Sequence, residues 1–435
     1  MNTEQIIRKK RDGYELSTEE IDLFIKGMVS GKIADYQVAA WAMAIYFRGM
    51  NEREVNDLAL AMAGSGEVVD LSFIDGIKVD KHSTGGVGDK TTMIVVPIVA
   101  AAGVAVAKMS GRSLGYTGGT IDKFEAIPGF RTGLKRREFI DQINQIKAAV
   151  VAQTGNLVPA DKKLYAIRDV TATIESIPLI ASSVMSKKIA SGADAVVLDV
   201  KVGKGAFMKE IENARILARQ MVATGVKAGR KMVAIISRMD QPLGYSIGNA
   251  LEVKEAVATL QGKGAPDLEE LCLVLASHMV ILGGAAQTLE EARDKVTEIL
   301  DSGKGYEKLC QLVEMQGGEV AALNNMHLVH PASLQVVVKS PGAGYLTGVE
   351  CEEIGRIAMM LGAGREKYED RIDYSVGLTL QKKTGDYVQK DEPLAIIYAN
   401  DPYKMQIARD RIIRACTLSE QPPVLEPLIM ETVIG

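Results

Sequence analysis

The sequence predicts an α/β protein: a small all-helical domain, a larger mixed α/β domain with a central sheet, and a C-terminal α+β portion. Three observations predict it. Capped helical periodicity fills residues 1–66, β-branched runs alternate with amphipathic stretches after Gly66, and a strand-and-turn texture begins near His330 and Pro331. A chain of 435 residues also exceeds one ordinary core, so two or three domains are expected.

Taken in order, Ser17-Thr-Glu-Glu20 and Asn51 with Glu54 are capping boxes, in which a side-chain oxygen and a carboxylate satisfy the free N–H groups of a helix start. Val55, Leu58, Ala59 and Met62 follow at helical spacing, and the Met and aromatic residues from Trp41 to Met50 read as helical core. Beyond Gly66, the runs Ile94–Val99, Val104–Ala107, Ala195–Val200 and Met232–Ile236 read as strands, alternating with amphipathic stretches such as Ile211–Val222. Ligands gather beyond the strand ends in such sheets. Ser340–Leu346 and Gly385–Leu394 bracket a strand-rich segment similar to the small barrel-sandwich sheets of biotinyl and lipoyl carriers. No Met-Lys-Met is displayed there, so a packing or assembly role is expected rather than a swinging arm. Gln421–Pro427 reads as an extended surface strap.

Two glycine-rich segments break this regularity. Lys81-His-Ser-Thr-Gly-Gly-Val-Gly-Asp-Lys90 follows a short strand (Ile77, Val79) and precedes a helix expected from Asp89. Ser110-Gly-Arg-Ser-Leu-Gly-Tyr-Thr-Gly-Gly-Thr-Ile-Asp-Lys-Phe-Glu125 lies just downstream. Each sets bare backbone N–H groups, hydroxyls and cations around a small space, which is the chemistry of holding an oxyanion. Asp89 stands where a nucleoside-triphosphate loop needs glycine before Lys90-Thr91, and no third glycine completes a dinucleotide fingerprint. One phosphate gripped from two sides is the simplest reading. His82, inside the first segment, is a candidate proton donor, whereas His278, His327 and His330 have no motif around them.

Composition excludes several classes. The chain is 47% hydrophobic and 24% charged, as soluble globular proteins are, and only 5% aromatic, too few rings for a single-strand stacking surface. A net charge of -4 leaves no basic stripe for nucleic acid. No export signal or membrane-spanning run is read, and Cys272, Cys310, Cys351 and Cys416 are scattered without zinc or disulfide spacing. A cytoplasmic protein with reduced thiols is expected.

Ser-Gly-Arg followed by Thr-Gly-Gly-Thr-x-Asp-Lys-x-Glu, together with Lys81–Gly86, Arg168-Asp-Val-Thr-Ala-Thr173 and Ser183-x-x-x-Lys187, resembles the thymidine/pyrimidine-nucleoside phosphorylase family along essentially the whole chain. The resemblance implies reversible phosphorolysis of uridine, thymidine or deoxyuridine to a free pyrimidine and a pentose 1-phosphate. It implies domains at 1–66 plus about 160–192, about 67–159 plus 193–330, and 331–435, closing on a hinge. Phosphate would be surrounded by Lys81, His82, Ser83, Thr92, Lys108, Met109, Ser110 and Thr120. Arg168, Ser183 and Lys187 would hold the base, with Leu114, Ile180 and Phe207 as apolar walls, and His82, Arg168 and Lys187 would be catalytic. Ser183 and Lys187, four apart on a helix after Pro178, point the same way. No organic cofactor is implied. A structural potassium ion is, at Gly88, Lys90, Leu243, Ser246 and Glu255.

Three departures from the family pattern stand out. Ser113 and Tyr116 replace a glycine and a histidine, and Lys90 stands where relatives carry threonine, so its ammonium is expected to weaken or displace potassium. Lys108, where thymidine-selective members tend to be apolar, favours a broad pyrimidine-nucleoside enzyme over a thymidine-selective one. A two-fold helix interface through Ile21, Phe24, Ile25, Met28 and Ala39–Tyr46 is compatible with the homodimers of the resembled enzymes. The rivals are an anthranilate phosphoribosyltransferase-like enzyme, which would not need the base clamp or the third domain, a nucleoside hydrolase, whose aspartate-rich motif is missing, and a non-enzymatic sensor.

Overall fold

The computed structural model describes residues 2–112, 115–153, 155–367 and 369–435. Helices α1 (Thr3–Arg11), α2 (Thr18–Val29), α3 (Asp35–Arg48) and α4 (Glu52–Ala63) form the amino-terminal bundle. Ser17 and Asn51 start α2 and α4 by accepting the N–H of Glu20 and Glu54, whose carboxylates return the bond to the cap N–H. Ile21, Phe24, Ile25 and Met28 are buried in this chain's own core, where Phe24 stacks on Trp41 with centroids 4.3 Å apart. That stripe is therefore unavailable to a second copy. Tyr36, Tyr46 and Phe47 are the large apolar side chains that α3 leaves exposed.

The central part runs β1 (Lys78–Ser83), α5 (Thr91–Ala101), β2 (Ala105–Ser110), α6 (Thr120–Glu125), α7 (Arg136–Ile146), β3 (Ala148–Ala152), α8 (Pro159–Val170), α9 (Ile177–Ala190), β4 (Ala195–Val202), α10 (Ile211–Lys227) and β5 (Lys231–Arg238). It continues into α11 (Asn249–Leu260) and α12 (Pro266–Leu282). The strands pair in parallel in the order β5-β4-β1-β2-β3. Both faces are covered, as parallel sheets require. Val106 packs with α5 and α12, while Ala105, Ala107 and Met109 share a core with α1–α4, α8 and α9.

Two sequence expectations give way here. Ile94–Val99 is the middle of α5, not a strand: the run is buried on every side, and periodicity cannot separate a buried helix from a buried strand. The helix expected from Asp89 is the reading that holds. The chain end also departs from the expected 331–435 unit, because Ile429–Ile434 returns to the central sheet as an antiparallel edge beside β5. Gln421–Pro427 leads into that strand.

The C-terminal part contributes two small sheets. One joins Tyr387–Val388, Gly344–Val349 and Cys416–Ser419. The other joins Gly377–Leu380, Pro393–Ala399 and Leu334–Lys339, and recruits Ser246–Ile247 from the central part. Lys383, near a hairpin tip, donates to Pro242 O (2.6 Å), Gly244 O (2.8 Å) and Asp267 Oδ2 (2.7 Å), so it is a fastening rather than a displayed arm.

Candidate active site

Parallel neighbours leave their connections at one edge of the sheet, and β1 lies between β4 and β2 with Val79 opposite Ala195 and Val106. The turn after β1 and the turn after β2 therefore rise side by side. Thr84 fastens the first to β4: its N–H donates to Asp199 O (3.0 Å) and its hydroxyl accepts from Lys201 N–H (2.9 Å). Gly88 has a φ of +73°, and a Cβ there would stand 2.6 Å from Leu243 O, so no other residue fits. Lys123, on α6 behind the second turn, donates to Asp89 O (2.6 Å) in the first and pairs with Glu252 (2.8 Å). One lysine thus ties the two turns together. Leu114 and Ser113 lie outside the described residues.

Charge at this edge is dense and buried. Asp80 sits between Lys188 Nζ (2.6 Å) and Lys108 Nζ (3.4 Å), Lys108 donates to Lys81 O, and Lys188 donates to Met109 O (3.3 Å). Burial opposes ionisation of Asp80, but Lys108 and Lys188 outweigh it and hold the carboxyl below its ordinary range. Burial, with Lys188 and Lys81, pushes Lys108 down to about 7 against the pull of Asp80. Lys81 donates to Thr91 Oγ1 (2.6 Å), which donates to Asp89 (2.6 Å). Burial first, then Lys188, Lys108, Lys187 and Lys81, drive His82 well below the ordinary histidine value, leaving its ring neutral at about pH 7. No described residue hydrogen-bonds to that ring. The hydroxyls of Thr92, Ser110 and Thr120, at the ends of α5, β2 and α6, also find no hydrogen-bond partner among the described residues, while Ser83 Oγ accepts from Gly85 N–H (3.2 Å).

The second group of predicted residues comes from α8 and α9. Ile180, Ser183 and Lys187 share one face of α9. Lys187 donates to Ser183 Oγ (2.9 Å) and to Asp161 Oδ2 (2.5 Å), and Asp161 Oδ1 is buried with no partner among the described residues. Arg168 is 1% exposed and donates to Thr173 O (3.2 Å), Ile174 O (2.6 Å) and Leu179 O (3.1 Å), closing a turn in which Ala172 has a φ of +53°. A guanidinium has five N–H groups and an ammonium three. Arg168 and Lys187 therefore each retain donors beyond their structural bonds. Phe207 is half-buried, 3.7 Å from where Gly85 would carry a Cβ, and so borders the first turn. Tyr116 lies instead against the C-terminal part, with the Arg356 guanidinium 5.3 Å from its ring centroid, and burial pushes its phenol up to about 12.

Sequence reasoning did not single out Asp80, Asp161 or Lys188, and took Lys123 only as one of the cations of the second segment. Signals for two existed: Asp80 is a carboxylate between Val79 of the expected strand and Lys81 of the first glycine-rich segment, and Asp161 lies two helical turns before Arg168. The oxygens expected around potassium do converge, but on a lysine. Lys90 is buried, and its Nζ donates to Leu243 O (2.9 Å), Ser246 O (3.0 Å) and Glu255 Oε2 (2.6 Å). Its own N–H donates to Gly88 O (2.9 Å). With an ammonium among these oxygens, the residues present do not fit a potassium ion.

The depressed Lys108 and His82 give a pH prediction. A bound dianion favours the protonated form of both groups, so phosphate binding at about pH 8 is expected to take up protons. Titration calorimetry in buffers of different ionisation enthalpy reads this directly. Buffer-independent heats would show that Lys108 is already charged without ligand.

Residues 75–306 match the glycosyl transferase family a/b domain, residues 4–66 its helical bundle domain, and residues 345–419 the pyrimidine nucleoside phosphorylase C-terminal domain. The chain is 53% identical to the pyrimidine-nucleoside phosphorylase of Bacillus subtilis (strain 168), over 99% of this chain and 100% of that one. It is 53% identical to that of Geobacillus stearothermophilus, over 98% and 99%, and 56% identical to that of Staphylococcus haemolyticus (strain JCSC1435), over 92% of each. Among solved structures, anthranilate phosphoribosyltransferase from Thermus thermophilus superposes with a TM-score of 0.59 at 18% identity, covering 72% of this chain and 99% of that one, a likeness of fold alone.

Proposed function

The chain belongs to the pyrimidine-nucleoside phosphorylases of the glycosyl transferase family, and on that premise we propose how its residues carry out phosphorolysis. Phosphate is seated between the two turns by Lys81, Ser83, Thr92, Lys108, the Met109 backbone, Ser110 and Thr120. The pyrimidine is held by Arg168, Ser183 and Lys187 between Ile180 and Phe207. A phosphate oxygen attacks C1′ as the bond to the base nitrogen breaks, and the bonding pair leaves with the base. In-line positioning and donors aimed at the base oxygens then supply the catalysis. His82 serves as an N–H donor toward that developing charge, and the phosphate dianion, by offsetting the surrounding ammoniums, favours its protonated form. The reaction calls for no organic cofactor, since phosphate is the nucleophile and nothing is oxidised.

The observation that supports this reading best is the pattern of unused donors. Arg168 and Lys187 keep N–H groups beyond their structural bonds, and the hydroxyls of Thr92, Ser110 and Thr120 have no hydrogen-bond partner among the described residues. Incubation with uridine and phosphate tests it: phosphate-dependent release of uracil is expected. Phosphate-independent release would indicate hydrolysis, and binding without release a sensor.

Three finer points belong to the same proposal. Lys108 donates to Lys81 O and pairs with Asp80, and donation from its ammonium to a ribose 2′-OH would favour a broad enzyme over a thymidine-selective one. Lys108→Met is then expected to lower the uridine-to-thymidine ratio of kcat/KM, and an unchanged ratio would reject the role. Base and phosphate groups sit on different parts of the chain, so hinge closure is proposed. Glu67 N–H to Asn156 O (3.0 Å) and Val69 N–H to Ala190 O (2.8 Å) tie together the segments that cross between them. Solution scattering should contract when both ligands are added. A cytoplasmic homodimer remains our reading, with the free cysteines and the outward Tyr36 and Phe47 in support, and sedimentation would detect a monomer.

A further inference from the structure

We propose that the Lys90 ammonium is a built-in substitute for a monovalent metal cation, so that this chain holds the turn at 242–246 without potassium. The turn presents its carbonyl oxygens inward. Leu243 O and Ser246 O, with Glu255 Oε2, converge on Lys90 Nζ at 2.9, 3.0 and 2.6 Å. Pro242 O and Gly244 O, with Asp267 Oδ2, converge on Lys383 Nζ. Carbonyl dipoles aimed at one point repel each other unless a positive charge lies between them. Here both charges are covalently attached, one from the turn after β1 and one from the C-terminal part. Glu255 is committed to the same turn, accepting Tyr245 N–H (2.6 Å) and Ser246 N–H (2.8 Å) as well as Lys90.

A tethered ammonium differs from a free ion in two respects. It loses no translational freedom on binding, and its occupancy does not depend on the salt in solution. A second cation is excluded as well, because the ammonium already fills the ligand shell at charge-assisted hydrogen-bond distances. The position has consequences for the site. Lys90 precedes Thr91, whose hydroxyl accepts from Lys81, and its own N–H fixes the Gly88 carbonyl. Lys90 is thus a positioning residue that sets the first turn through its side chain.

The test is metal binding and thermal stability of the full-length protein. For the native chain, Tm is expected to be the same in potassium, sodium and tetramethylammonium chlorides at equal ionic strength. Crystals soaked in rubidium chloride are expected to show no anomalous peak among Leu243 O, Ser246 O and Glu255. Lys90→Thr is expected to lose stability in tetramethylammonium, to regain it in potassium, and to bind rubidium at that point. A rubidium peak there in the native protein, or a saturable rise of its Tm with potassium, overturns the proposal. So does a folded Lys90→Thr protein indifferent to potassium. Should Lys90→Thr not fold in any salt, the two native-chain measurements decide alone. The inference rests on the turn and not on the reaction, so failure of uracil release would leave it standing.

Discussion

Replacing Arg168 with alanine is expected to lower kcat/KM for uridine by about 10²- to 10³-fold and to lower Tm as well. The first effect is the loss of a preorganised donor to a charge that grows in the transition state, about 2.7–4 kcal/mol by analogy with single oxyanion donors. The second follows from the three carbonyls, of Thr173, Ile174 and Leu179, that the guanidinium now serves. Bonds to a charged donor contribute about 1.5–3 kcal/mol each, and a buried carbonyl left without one is costly. Kinetics taken well below the variant's Tm, per mole of folded protein, separate the two. If activity then matched the native chain, Arg168 would be a staple for its turn and nothing more.

Asp80→Asn is expected to destabilise the protein by about 3–5 kcal/mol, because Lys108 and Lys188 lose the carboxylate that compensates them in a dry environment. The double variant with Lys188→Met should recover part of that loss, since it removes one of the stranded charges. Groups in one buried network couple by about 0.5–3 kcal/mol, which chemical denaturation of the four members of the cycle would measure. Strict additivity would mean that Asp80 and Lys188 do not act together. The KM for phosphate should rise in Asp80→Asn, as the ammoniums reorient away from the gap.

Much of the candidate site is legible because its chemistry is concentrated in two continuous segments. Glycines and hydroxyls at 81–90 and 110–125 announce an anion, and Ser183 with Lys187 announce one helical face. What could not be read were partners brought from a distance. Asp161 comes to Lys187 from another helix, Lys188 reaches Asp80 across 108 positions, and Lys123 bridges the two turns. No local pattern encodes such pairs. The Ile94–Val99 run failed for the opposite reason: its burial on all sides erased the polar residues that would have shown a helical period.

The capped helices, the donor-rich turns and the family follow from the order of residues alone, because each depends on residues near one another along the chain or on likeness over its whole length. Folding in three dimensions sets which charges meet, brings Lys90 into a shell of oxygens supplied more than 150 positions away, and adds the last strand to the edge of the central sheet. Those outcomes depend on burial and convergence. Both are properties of the folded interior, where a charge must find its counterpart in space rather than in sequence.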